Sequence, residues 1–214
     1  MNAYKLIELD DTESNKVRRA LHRWSKVDEQ AVMPLILAIR QKYDSSNFQI
    51  EEPRWVTNVY PLYYWAYNEM KSQRGAYDHV LELLPTLFPL ARVSLPAEEL
   101  RAHLRHIVNS EIDILIEDSN YFFFVEVKIP TTSQKIRFQK TAGVHQLVRQ
   151  YVQGKILEKI MGKMFALATL GANNAQTKDY QLNPIEQELL RLVGHEEPSL
   201  RVHDFDWSLL RATA

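Results

Sequence analysis

Residues 111–130, "EIDILIEDSNYFFFVEVKIP", constrain the fold more than any other stretch of the chain. Two runs of β-branched and aromatic residues flank a polar "DSN", which is the pattern of two antiparallel strands joined by a tight connection. Side chains alternate along a strand, so Asp113, Leu115 and Glu117 share one face of the first run, opposite Ile112, Ile114 and Ile116. In the second run Phe122, Phe124, Glu126 and Lys128 share a face, opposite Phe123, Val125, Val127 and Ile129. Apolar residues on both faces predict a sheet covered on both sides. Two residues along a strand span ~6.6 Å, so Glu126 and Lys128 are neighbours on one surface. Closing the hairpin then brings Asp113 beside them.

Three ionisable groups at one end of an apolar sheet are costly unless each is paired. One account is structural: Lys128 bridges two carboxylates and fixes the strand register. The other is chemical. Two hard oxygen donors a short distance apart suit Mg²⁺ or Mn²⁺, and an adjacent ammonium can orient a water or offset developing charge on a phosphoryl group. The spacing favours the chemical account.

Around this hairpin, residues 12–43 read as two helices, with Val17, Leu21 and Trp24, then Val32, Leu35, Ile36 and Ile39, at helical spacing. The segment "PRWVTNVYPLYYWAYNEM" reads as an amphipathic helix carrying Trp55, Tyr60, Tyr63, Tyr64, Trp65 and Tyr67. Its rings suit a core anchor, with base stacking as the alternative. "AYDHVLELL" at 76–84 predicts a helix stopped by Pro85, while 90–100 reads either as a short helix or as the lead into a strand. "HLRHIV", "IDILIE" and "YFFFVEVKI" then predict a three-stranded antiparallel meander. "TAGVHQLVRQYVQGKILEKI" has Val144, Leu147, Val148, Tyr151 and Val152 on one helical stripe. "KMFALATLGA" predicts a buried strand ending at Gly171. "NPIEQELLRLVG" predicts a helix with Asn183 as cap, Pro184 at its first position and Gly194 after its end. The apolar residues of the tail are expected to pack back on the core.

The arrangement "E-I-D … V-E-V-K", carried by Asp113, Glu126 and Lys128 in its apolar setting, resembles the signature of the PD-(D/E)XK, or restriction-endonuclease-like, nuclease superfamily. The resemblance implies an α/β fold with an α-β-β-β-α-β core, a mixed sheet flanked by helices, over residues 76–171. Residues 1–75 and 172–214 would be helical extensions. By the same resemblance Asp113 and Glu126 are the metal-binding carboxylates for Mg²⁺ or Mn²⁺, the backbone carbonyl of Val127 adds a ligand, and Lys128 acts on the attacking water. The proline of the family's name is replaced here by Ile112. A glutamate on the preceding helix, Glu82 or alternatively Glu69, and Gln146 on the following helix are further candidates. Tyr151 is set aside because it belongs to the apolar stripe. The implied activity is metal-dependent hydrolysis of phosphodiesters in nucleic acid, with DNA placed ahead of RNA. The alternatives are a non-catalytic nucleic-acid-binding or assembly protein on the same fold, and a small-molecule hydrolase on an unrelated α/β fold.

Composition bears on partners and location. Among 214 residues there is no cysteine, which excludes disulfides, cysteine–zinc sites and thiol catalysis and predicts a reducing, cytoplasmic setting. No apolar run reaches the ~18 residues of a membrane helix, and the first residues do not read as a signal peptide. The formal net charge is −1, so any attraction for a polyanion must be local. Lys135, Arg137, Lys140 and Arg149 supply such a segment and are the candidate nucleic-acid-binding residues, with a solvated helix face as the equal alternative. His79, His103, His106 and His145 show no metal-ligand spacing, and His103 and His106 would point to opposite faces of a strand. The aromatic segment 55–67 leaves a homodimer open.

Overall fold

The computed structural model describes residues 54–117, 120–128, 138–171, 180–200 and 202–205. The two helices expected over 12–43, and Lys135 and Arg137, lie outside these residues. Among these residues a five-stranded mixed sheet forms the centre: β1 (Arg54–Val59), β2 (Ile112–Glu117), β3 (Tyr121–Val127), β6 (Met164–Leu170) and β7 (His203–Phe205), in that spatial order. The first three strands are antiparallel neighbours, whereas β6 runs parallel to β3 and β7 parallel to β6. Three helices, α1 (Pro61–Met70), α2 (Gln73–Leu87) and α3 (Ala97–Val108), intervene between β1 and β2. A short hairpin of β4 (Lys140–Thr141) and β5 (Val144–His145) precedes α4 (Gln146–Met161), and α5 (Pro184–Leu192) lies between β6 and β7.

The β2–β3 hairpin pairs as the alternation requires, with Leu115 opposite Phe124 and Glu117 opposite Phe122. Leu115, Phe122, Phe124 and Leu167 are buried in one core with Leu147, Val148, Val152 and Ile156 of α4. Ile114, Ile116, Phe123 and Val125, on the other face, are also buried, so both faces of the sheet are covered as expected. Gly154 allows α4 and the sheet to approach closely: a Cβ there would lie 2.1 Å from Cζ of Phe165.

The α-β-β-β-α-β order needs correction at its first strand. "HLRHIV" is the last half of α3. Over the full twelve residues Leu100, His103, Leu104, Ile107 and Val108 fall at i, i+3, i+4, i+7 and i+8 and are all buried. The six residues alone are too few to reveal that period. The third antiparallel strand is instead β1, drawn from the aromatic segment read as one helix. Pro61 divides that segment: as the first residue of α1 it fits the helix, and it disfavours helical geometry for Tyr60 before it. β1 and β7 therefore carry the sheet beyond residues 76–171 on both sides.

Smaller differences have equally local causes. Pro85 does not stop α2, because in a last turn it forfeits one hydrogen bond. The helix ends at Leu87, before Pro89, with Phe88 extended. The segment 90–100 holds a 3₁₀ turn at Leu90–Arg92 and the start of α3. α4 begins at Gln146 rather than Thr141, because Ala142 and Gly143 both have positive φ and close the β4–β5 turn. β6 ends at Gly171, and α5 has the expected Asn183 cap, completed as a capping box with Glu186. Phe205 of β7 is buried, so the described part of the tail packs back, as a strand at His203–Phe205. Tyr63, Tyr64 and Trp65 are buried in this chain's own core, which answers the choice between anchor and base stacking for those three rings and removes the reason they gave for a homodimer.

Candidate active site

Continuing the β2–β3 register by one residue places Asp113 opposite Glu126, at the end of the sheet where α4 begins. A cleft of about 410 Å³ opens there, lined by residues that include Tyr60, Glu111, Asp113, Glu126, Lys128 and Arg149. Val127 and Gln146 line it as well. The structure thus brings together six of the predicted positions, Asp113, Glu126, Val127, Lys128, Gln146 and Arg149, the last expected only as part of a basic surface. It does not bring Glu82 or Glu69: both are exposed, on α2 and α1, and neither lines the cleft. Lys140 is exposed, with its Nζ 5.3 Å from the centre of the Tyr180 ring.

The carboxylates are held differently. Oδ2 of Asp113 accepts a hydrogen bond from the backbone N–H of Val127 at 2.7 Å, and no described residue bonds its other oxygen. Glu126 is 2% exposed; its Oε1 accepts from Nζ of Lys128 at 2.5 Å and its Oε2 from Nε2 of Gln150 at 2.7 Å. Nζ of Lys128 also donates to Oε1 of Gln146 at 3.3 Å and lies 4.9 Å from the centre of the Phe138 ring. Burial, and then the negative charge of Glu126, push the Asp113 carboxyl up from 3.8 to about 7, against the opposing pull of the Val127 N–H and Lys128. Tyr60 donates to Oε2 of Glu111 at 2.9 Å, and its phenol is pushed up to about 12 by burial and then by that carboxylate.

Three residues here carry little individual signal in the sequence. Glu111 and Tyr60 precede a strand and a helix, respectively, with nothing in their spacing to connect them. Gln150 is fully buried and joins Glu126 to the backbone carbonyl of Glu111, 2.9 Å away. It belongs to a row, Gln146, Arg149, Gln150 and Gln153, at i, i+3, i+4 and i+7 of α4. Gln153 extends that row by accepting from the Leu62 N–H at 3.1 Å and donating to the Ser110 carbonyl at 3.0 Å. A polar row at core spacing was the available signal. Tyr151 bonds His195 at 3.2 Å, outside the cleft.

The start of α4 is fixed from two sides. His145 caps it, its Nδ1 accepting from the Leu147 N–H at 3.2 Å, and burial holds that imidazole down near 4, in its neutral form. The His145 N–H donates to Oε1 of the buried Glu186 at 2.7 Å, which anchors the β4–β5 hairpin to α5. His103 is buried on α3 and His106 is on the same helix, so their expected strand placement falls with the strand.

Among the described residues no group of three or more His, Asp or Glu side chains is gathered to hold a metal ion. The donor set is a pair of carboxylates whose mutual repulsion a divalent cation would relieve. Mg²⁺ commonly binds through one or two carboxylates and completes its shell with water and substrate phosphate, so the pair fits that ion. Compared with family models, with curated proteins and with solved structures, the chain matches none.

Proposed function

We propose that the protein is a divalent-metal-dependent nuclease of the restriction-endonuclease-like kind, hydrolysing phosphodiester bonds of nucleic acid, with DNA the preferred candidate. The observation that carries this reading is the convergence of Asp113, Glu126 and Lys128 in one cleft at the end of the central sheet. Asp113 and Glu126 would hold Mg²⁺ or Mn²⁺, with the Val127 carbonyl as a further donor. The ion, when bound, supplies charge that activates water and offsets the developing phosphorane. The chain's residues supply the rest. Gln150 orients Glu126 through one oxygen, leaving the carboxylate's tilt fixed before any substrate arrives. The Val127 N–H does the same for Asp113. Lys128, steadied by Glu126 and Gln146, places an ammonium where it can hold the attacking water and balance charge in the transition state.

A second reading draws on the same ion pair. Glu126 already has a partner on each oxygen, as a structural cluster in a binding or assembly protein would require. Lys128→Ala separates the two. In an enzyme, nucleic-acid affinity measured in Ca²⁺ should stay nearly unchanged while cleavage in Mg²⁺ falls roughly a hundredfold or more. Lost affinity with no cleavage by the wild type would favour the binding protein.

A further inference from the structure

The guanidinium of Arg149 is the least explained charge in the cleft. Arg149 is 8% exposed, yet no described residue hydrogen-bonds or ion-pairs with it, and its buried Nε has no partner. A buried arginine is ordinarily paired, because desolvating it without an anion is costly. Its polar neighbours are hydrogen-bonded to other side chains. Lys128 is engaged with Glu126 and Gln146, and Gln150 takes the other Glu126 oxygen. Glu126, the carboxylate whose charge acts on Arg149, thus has both oxygens bonded to other side chains, and Arg149 stands in the first turn of a sixteen-residue helix whose N-terminus opens on the cleft.

We infer that Arg149 is a built-in binding residue for a phosphoryl group in the cleft that Asp113 and Glu126 also line. This rests on the nuclease reading for the source of the phosphate, though not for the existence of the anion site. A guanidinium presents a rigid fork of donors that matches phosphate oxygens, and the N-terminal end of α4 adds a favourable field. Glu111, Asp113 and Glu126, which line the same cleft, oppose an anion, so binding should tighten when Mg²⁺ screens them. The arginine predicted as part of a diffuse basic surface is thus assigned a single buried contact inside the site.

The test uses the full chain and inorganic phosphate, titrated calorimetrically in EDTA and again in Mg²⁺, with Arg149→Met and Arg149→Lys beside the wild type. Wild-type protein should bind in both buffers and more tightly in Mg²⁺. Arg149→Met should weaken binding by roughly tenfold to a hundredfold, the scale of losing charge-assisted hydrogen bonds, and Arg149→Lys by less. Arg149→Met should also melt higher than the wild type without phosphate, because it removes a desolvated charge that no described residue hydrogen-bonds, and phosphate should raise the melting temperature of the wild type more than that of Arg149→Met. A short single strand lacking terminal phosphates should displace inorganic phosphate if the group recognised lies within a strand; displacement only by a strand carrying a terminal phosphate would identify a phosphomonoester. Equal phosphate binding by the wild type and Arg149→Met, or none by the wild type in either buffer, overturns the inference. Arg149-dependent phosphate binding by a protein that cuts no nucleic acid would keep this site and remove the nuclease. Cleavage with an unchanged KM in Arg149→Met would do the reverse.

Discussion

Asp113 is the residue whose environment makes the sharpest demand. Its folded-state pKa of about 7 lies above the ordinary 3.8, so between those values the folded chain holds a proton that the unfolded chain has released. The resulting stabilisation is complete below about pH 4 and is lost as pH rises through about 7. Asparagine imitates the protonated side chain and can still accept from the Val127 N–H. Asp113→Asn should therefore match the wild type near pH 4 and exceed it at pH 8, by on the order of 2–4 kcal/mol. Thermal melts across that range check it, and a variant less stable than the wild type at pH 8 would indicate a structural ion pair. Mg²⁺, which favours the ionised pair, should flatten the wild-type decline with pH and leave Asp113→Asn unaffected.

At the level of elements, what was legible depended on how much context each segment needed. β2, β3, β6 and α5 follow from local pattern: alternation, apolar runs, and the Asn183, Pro184 and Gly194 punctuation. Asp113, Glu126 and Lys128 were legible for the same reason, since hairpin register alone brings them together. α3 was not, because six of its residues also satisfy a strand, and only the twelve-residue window resolves the period. β1 was hidden by the aromatic content it shares with α1, and its pairing partner lies more than fifty residues away. The sequence places Gln150 and Arg149 on a helix, but the apolar stripe that marks this helix does not reveal that its polar row faces the site. The packing of α4 offers a test. Gly154→Ala would gain helix propensity, yet the methyl must displace the Phe165 ring from among Phe122, Phe124 and Tyr151. Overpacking should win, with a net loss of roughly 1–2 kcal/mol in denaturant unfolding. Unchanged stability would mean that the ring moves freely and that this contact does not set the distance between α4 and the sheet.

The whole molecule places its chemistry at one end of a mixed sheet, with α4 lying over one face and antiparallel β1–β2–β3 joined to parallel β6 and β7. The two chemical elements sit together because β3 and β6 are parallel, which requires a crossover, and α4 is that crossover. Its first turns thus meet the end of β3 where Glu126 and Lys128 emerge. No helix among the described residues is long and apolar enough to cross a membrane. A formal net charge of −1 gives no global attraction for a polyanion, so the proposed recognition of nucleic acid would depend on local cations. The most direct measurement of the central claim is cleavage of single-stranded DNA, double-stranded DNA and RNA by the purified chain, in Mg²⁺, in Mn²⁺ and in EDTA, with Asp113→Asn carried in parallel. The account predicts cleavage of at least one substrate that requires the metal and falls a hundredfold or more in Asp113→Asn, on the scale of losing an electrostatic or metal-holding group. Cleavage of equal rate in wild type and Asp113→Asn, or none on any substrate in either metal, would contradict it.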